Sequence, residues 1–159
     1  MRGLQVAYGE AHRLMWVADS FEGLPPSTHE ADRGRDWTEP RQPWLAIPFE
    51  AVQDNFRAYD LLSPEVRFLR GWFTDTLPSA PIASLAILRI DADLYASTRD
   101  VLDALYDKVS PGGFVIVDEY HIFPPCRTAV DDFRRARAIT QPLRRIDWSA
   151  CYWRVPTRP

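Results

Sequence analysis

Carboxylates stand at a few points of this 159-residue chain, each just after a short apolar run. Asp19 closes Arg13–Asp19. Asp91 and Asp93 follow Ser84–Ile90, and Asp118 and Glu119 follow Phe114–Val117. Aspartate is a poor strand former, and carboxylates crowded at one edge repel. Such a rim needs a cation or hydrogen-bond donors. Asp91, Asp118 and Glu119 follow two runs expected to be neighbouring strands, and all three are hard oxygen ligands. That set suits Mg²⁺, which takes a few carboxylates and fills its other positions with water or substrate. Two other readings of the same acids stay open: capping of helix N-termini, and pairing with arginines, which supply all but one of the 19 basic residues. His121 is placed to ligate a metal or serve as a base, but it reads more simply as a rim histidine. His12 and His29 read as surface residues. The sequence contains no Ser-His-Asp spacing, nucleophile elbow or P-loop.

The elements that must hold these acids alternate. Arg13–Asp19, Val66–Leu69, Ser84–Ile90 and Phe114–Val117 read as strands, those at Arg13–Asp19, Ser84–Ile90 and Phe114–Val117 as buried ones. Between them Phe49–Leu62 carries Val52, Phe56, Tyr59 and Leu62 at helical spacing. Ser97–Lys108 carries Val101, Leu102, Leu105 and Tyr106 on one face, and Pro125–Ala138 reads as a further helix. Ser110-Pro111-Gly112-Gly113 reads as a turn. Leu143–Trp148 and Cys151–Val155 read as a hairpin about Ser149-Ala150. Apolar strands alternating with helices predict one α/β domain, with a mostly parallel sheet covered on both faces and a closing antiparallel edge. In such sheets ligands bind beyond the carboxyl ends of the strands, where the acids stand. Pro25–Pro48, with Asp36, Trp37, Pro40, Pro43 and Trp44, has no sustained period. It reads as a long loop of the kind that forms lids over binding sites.

Composition removes several classes of function. Nineteen basic against 22 acidic residues leave a net charge of −3, so no basic surplus marks a nucleic-acid or membrane-surface partner. No apolar run approaches the roughly 20 residues that span a bilayer. Met1-Arg2-Gly3-Leu4-Gln5 has no apolar core of a signal peptide. Cys126 and Cys151 are expected to be reduced, buried thiols in a cytosolic, hence cytoplasmic, protein. Arg134, Arg135 and Arg137 read as a solvated helix face.

The motifs together resemble one family. Trp16-Val17-Ala18-Asp19-Ser20-Phe21-Glu22-Gly23-Leu24-Pro25 is similar to the segment after the second strand of macrocin-O-methyltransferase-like (TylF-type) proteins. Gly71-Trp72-Phe73-Thr74-Asp75-Thr76-Leu77-Pro78 resembles their GWFxDTLP, and Leu88–Thr98 resembles their LRxDxDLYxST. Pro111–Tyr120, followed by Cys126 and Ala129–Phe133, resembles their PGGxxIxDDY…C…AVDDFR. The resemblance implies a class I, Rossmann-like fold and O-methyl transfer from S-adenosylmethionine, with Mg²⁺, to a sugar hydroxyl of a glycosylated, macrolide-type natural product. It implies Asp91, Asp118 and Glu119 as metal ligands, with Glu119 in place of the family's usual Asp. Asp91 or Asp93 would be the catalytic base. Asp19, with Ser20 beside it, would bind the cofactor ribose, and Gly71, Trp72 and Phe73 would flank its adenine. Pro25–Pro48 would be the substrate lid. The expected partners are a small-molecule glycoside and, in a homo-oligomer, further copies of the chain.

The resemblance has a gap. The family's first strand and E-x-G-x-x-x-G turn have no counterpart before the segment matching Met1–Glu10, and Arg2–Tyr8 resembles the later part of the helix that follows that turn. The expectation is therefore an N-terminally truncated domain, as a fragment or mis-started frame, or one whose strand a partner supplies. Such a chain is expected to be inactive and poorly stable when isolated. A catalytically inactive remnant that binds a sugar or a partner chain is the alternative.

Overall fold

Residues 1–10, 12–34, 37–38 and 40–157 are described by the structure, a computed structural model. They divide into two units, Met1–Pro26 with Asp36–Thr76, and Ser27–Arg35 with Leu77–Pro159.

The first unit runs α1 (Arg2–Ala7), β1 (Met15–Asp19), α2 (Phe49–Ala58), β2 (Val66–Arg70) and α3 (Phe73–Thr76). β1 and β2 pair in parallel, from Met15 opposite Val66 to Asp19 opposite Arg70. Phe68 gathers the rings of Phe49 and Phe56, whose centroids lie 5.2 and 5.8 Å away. Phe49 and Phe56 are seven residues apart and so share one face of α2. The sequence predicted this helix to Leu62, but it ends at Ala58. Asp60 turns left-handed (φ 54°). The amides of Leu61 and Asp60 then reach back to the carbonyls of Phe56 (2.8 Å) and Arg57 (2.9 Å), a Schellman closure that consumes the last free acceptors. Buried Arg2 donates to Ser63 Oγ (2.7 Å) and Glu65 Oε2 (3.0 Å). The hydrogen bond from Ser63 and the Arg2 charge help hold Glu65 below the usual carboxylate range.

The second unit contains β3 (Leu85–Ile90), α4 (Tyr95–Leu105), β4 (Val109–Val117), α5 (Pro124–Ala136), β5 (Arg144–Arg145) and β6 (Cys151–Arg154). Its strands order β3-β4-β6-β5, with β3 parallel to β4 and both hairpin strands antiparallel to their neighbours. This sheet is therefore mixed, the expected hairpin making its antiparallel side, and the single mostly parallel sheet expected from the sequence is instead two sheets among the described residues, β1-β2 and β3-β4-β6-β5. β6 rather than β5 lies next to β4, because Trp153, Val115 and Val117 are all completely buried and the apolar strand takes the inner place. α4 and α5 pack on each other, contributing fully buried Leu102, Ala129, Val130, Phe133 and Cys126. The expected turn at Ser110–Gly113 is instead the irregular start of β4, where the register with β3 shifts between Leu85 and Ile87. Gly113 is required there, since a Cβ would lie 2.8 Å from the Ser110 carbonyl and 2.9 Å from that of Ala86.

Two further expectations change. Neither β1 nor β3 is buried along its length: Met15–Ala18 are half-buried, and Ala86 and Ile87 are exposed. Each lies at the end of its own sheet, and an edge strand has one neighbour to cover it instead of two. The arginines of α5 are not simply solvated. Arg134 lies over the ring of buried Trp153 (5.0 Å to its centroid), and Arg137 lies over Tyr106 and Phe133 while pairing with Asp107. Cys126 and Cys151 are buried, free thiols, both pushed up to about 12 mainly by burial. Among the described residues no helix is long and apolar enough to cross a membrane.

Candidate functional site

The acidic rim forms where β3 and β4 end. Backbone pairing carries one residue past β4, with the Asp118 amide donating to the carbonyl of Ile90, the last residue of β3 (3.0 Å). Beyond β3 the chain turns tightly: the Leu94 amide reaches the Ala92 carbonyl at 2.6 Å, and Asp93 is held left-handed, φ 56°. The turn folds Asp93 back toward its neighbours. One carboxylate oxygen from each of Asp91, Asp93 and Glu119 lies within 4.8 Å of the others. Oxygens around an octahedral Mg²⁺ sit about 3–4 Å apart, so a small contraction would close the three on one ion.

The electrostatics of this rim call for a cation. Burial, then the charges of Asp91 and Asp118, push Asp93 up to about 6. Burial, then the carboxylates of Asp91, Asp93 and Asp118, push Glu119 up to about 9. Glu119 Oε2 is buried and has no hydrogen-bond partner among the described residues. A buried carboxylate without a donor costs folding free energy; the metal-free chain avoids that cost by keeping Glu119 protonated, and a metal ion would avoid it by replacing the proton. The donor set, three carboxylates with one buried oxygen unused, fits a hard divalent ion.

The three acids that come together differ from the expected trio: Asp93 joins Asp91 and Glu119, while Asp118 is engaged elsewhere. Its Oδ2 pairs with Arg89 Nη2 at 2.5 Å, and Arg89 Nη1 pairs with Asp91 Oδ2 at 2.9 Å. Arg89 had no place among the expected site residues. The signal was present, since a strand places Arg89 and Asp91, two residues apart, on one face. Asp32 was also missed. It is fully buried in a short 3₁₀ turn (Glu30–Asp32), and its Oδ1 accepts the Tyr95 amide at 3.0 Å, at the first turn of α4. That helix has no side-chain cap of its own, and a carboxylate there satisfies an otherwise free donor and favours the helix dipole. His29, in the same turn, stacks flat on Tyr95 with centroids 3.6 Å apart. Nothing local in the sequence links residues 63 positions apart. His121 stands beside Tyr120 (5.1 Å, edge-on) with Nε2 buried and unpartnered. Of the expected lid, Trp44 is exposed, Pro43–Leu45 forms a 3₁₀ turn, and Asp36 lies outside the described residues.

The first unit has its own polar rim. Asp19 ends β1 with its carboxylate exposed, and Oδ1 accepts the Phe21 amide at 2.6 Å. Ser20 is buried, its hydroxyl donating to the Gly23 carbonyl (2.8 Å) and accepting from the Glu22 amide (3.0 Å). After β2 the Gly71 amide donates to the Asp19 carbonyl (2.9 Å), joining the two strand ends. Gly71 has φ 135°, and a Cβ would lie 2.9 Å from Thr76 Cγ2. Trp72 and Phe73 follow at the start of the short α3, half-buried. The Trp72 carbonyl accepts from Thr76 Oγ1 at 2.9 Å.

Strands alternating with helices, with acids past the strand ends, make an α/β protein, and comparison with known proteins identifies the fold as that of a class I methyltransferase. The family model described as Macrocin-O-methyltransferase (TylF) matches residues 1–155; the chain belongs to this family. Demethyldecarbamoylnovobiocin O-methyltransferase of Streptomyces niveus is 50% identical over 155 residues, 96% of this chain and 59% of that protein. An 8-demethyl-8-(2,3-dimethoxy-alpha-L-rhamnosyl)-tetracenomycin-C 4'-O-methyltransferase of Streptomyces olivaceus is 48% identical over 97% of this chain and 59% of its own length. The solved structure of the O-methyltransferase NovP superposes with a TM-score of 0.94 at 50% identity, over 99% of this chain and 66% of that one. The chain thus spans about three-fifths of the length of the curated relatives it matches.

Proposed function

We propose that this chain carries the metal rim and part of the cofactor rim of an S-adenosylmethionine- and Mg²⁺-dependent O-methyltransferase acting on a sugar hydroxyl of a glycosylated natural product. The convergence of Asp91, Asp93 and Glu119 with a buried, unpartnered oxygen carries the reading. The relatives' names support the substrate class, one specifying a rhamnosyl-bearing tetracenomycin. Asp91 and Glu119 would hold the metal, with Asp118 as a further ligand once released from Arg89. A divalent ion bound there supplies Lewis-acid charge that makes a sugar hydroxyl more acidic. Asp93, the third converging carboxylate, would accept that hydroxyl's proton on a carboxylate oxygen. S-adenosylmethionine supplies an electrophilic methyl group. The free edge of the Asp19 carboxylate would accept hydrogen bonds from its ribose hydroxyls, and Trp72 and Phe73 would offer apolar surface to its adenine. Residues Pro25–Pro48, anchored in part by Asp32, would exclude water.

Calorimetric titration of Mg²⁺, then of S-adenosylmethionine, into the purified chain tests the reading. Mg²⁺ binding that Asp91→Asn removes is expected. A chain that binds neither ligand points to the inactive remnant. Methyl transfer to a rhamnosylated acceptor that persists in excess chelator would reject the metal's role.

A further inference from the structure

Arg89 sits inside the acidic rim, and the function proposed above asks of it only that it release Asp118. Its position follows from strand geometry. Arg89 is in register with Ile116 of β4, and Asp91 and Asp118, each one residue beyond its strand, continue the alternation onto the face of Arg89, as its contacts with both show. The guanidinium spans both acids with different nitrogens: Nη1 on Asp91 Oδ2 at 2.9 Å and Nη2 on Asp118 Oδ2 at 2.5 Å. The carboxylates that converge, Asp91, Asp93 and Glu119, include one of the arginine's partners and leave out the other.

We infer that Arg89 is an internal counter-ion which holds Asp118 while no metal is bound, and that a divalent ion is loaded by exchange of the Asp118 carboxylate from the guanidinium to the metal. The inference rests on the reading of the rim as a divalent-metal site. An arginine suits the task because it stays charged at every physiological pH. It cannot vacate the carboxylate by losing a proton, so the incoming ion must displace it. The pair is also part-exposed, with side-chain accessibilities of 42% and 30%, so the guanidinium has solvent to swing into. Arg89 therefore limits metal affinity as a competing cation, and at the same time it relieves repulsion among the acids of the metal-free chain.

The test is Mg²⁺ binding by the full 159-residue chain, read by calorimetry and by melting temperature. Arg89→Gln is expected to bind Mg²⁺ about tenfold more tightly than wild type, since a cation a few ångströms from the site is removed. It is also expected to melt lower without metal, with a larger Mg²⁺-induced rise. Arg89→Lys keeps the charge but cannot span both carboxylates, and an affinity between the two is expected. It carries the test alone should Arg89→Gln not fold. Unchanged or weaker binding in a folded variant, with wild type binding normally, would overturn the inference alone, because Arg89 would then be a fixed support for Asp91. If wild type and both variants all fail to bind Mg²⁺ or Mn²⁺, the metal reading falls and takes this inference with it.

Discussion

The two polar rims of this chain are built on opposite principles. At the end of β1, Asp19 and Ser20 spend their bonds on their own turn: Oδ1 takes the Phe21 amide, and the Ser20 hydroxyl both donates and accepts within three residues. At the end of β3 and β4 the acids face one another, Glu119 keeps a buried oxygen without a donor, and both Glu119 and Asp93 are displaced upward. A satisfied rim is a rigid shape that presents the free edge of one carboxylate. A frustrated rim gives up part of its charge, Glu119 keeping a proton and Arg89 pairing with Asp91 and Asp118. The difference is what the proposed roles of the two rims, one toward ribose hydroxyls and one toward a metal ion, rest on.

The largest effect that would break this contrast concerns metal. Asp91→Asn is expected to weaken Mg²⁺ binding by about a hundredfold or more, as loss of a charged ligand should exceed the 10–100-fold cost of an outer-shell change. Ser20→Ala should leave that binding unchanged. Calorimetry on both variants decides the matter, and equal losses would mean that the rims are not distinct.

Next comes pH. Glu119 holds a proton in the folded, metal-free chain up to about 9, against 4.5 for the free group. Between those values the folded state binds more protons than the unfolded state, so stability falls as pH rises. Asp93 acts in the same direction between 3.8 and about 6. The melting temperature of the metal-free chain should therefore decline from pH 5 to pH 9. Glu119→Gln should flatten that decline, and saturating Mg²⁺ should reduce it. A metal-free melting temperature that rises over this range would show the acids to be relieved by some other group.

Smaller effects concern residues outside the acidic cluster. Gly71→Ala places a Cβ 2.9 Å from Thr76 Cγ2 at a φ of 135°. A destabilisation of about 1–3 kcal/mol is expected from denaturant titration. Asp32→Ala removes the acceptor at the first turn of α4 and should cost about 1 kcal/mol. Asp32→Asn should recover most of that loss, which would be absent if the carboxylate's charge alone mattered. Ser20→Ala removes two hydrogen bonds of an already ordered turn and should cost about 0.5–1.5 kcal/mol.

The alternation of apolar runs with helical spacing located the strands and the three longer helices, although β4 begins five residues before the predicted Phe114, because the burial of a face leaves its period in the chain. The ends were less legible. Tyr59 and Leu62 keep the helical period of α2 past its true stop, since the left-handed turn at Asp60 uses a residue that also serves in helices. The short α3 has too few residues to show a period. Burial of β1 and β3 was overestimated because apolar content reports what a strand can bury, while its number of neighbours decides what it does bury.

At the site the residue types and their places after the strands were readable in one dimension. An acid at a strand's carboxyl end reaches the rim whatever the packing, and the motifs from Trp16 to Phe133 placed the chain in its family. Which acids meet was not readable. Asp93 joins Asp91 and Glu119 because a left-handed residue folds it back. Asp118 is taken by Arg89 because two parallel strands fall into one register. Asp32 reaches α4 across 63 positions of chain. Type and periodicity are properties of neighbours along the backbone, so the sequence by itself determined the family, the elements and the stock of carboxylates. Pairing among charges depends on ångström distances between residues far apart in the chain, so the tertiary structure alone decided which carboxylates are left in want of a cation.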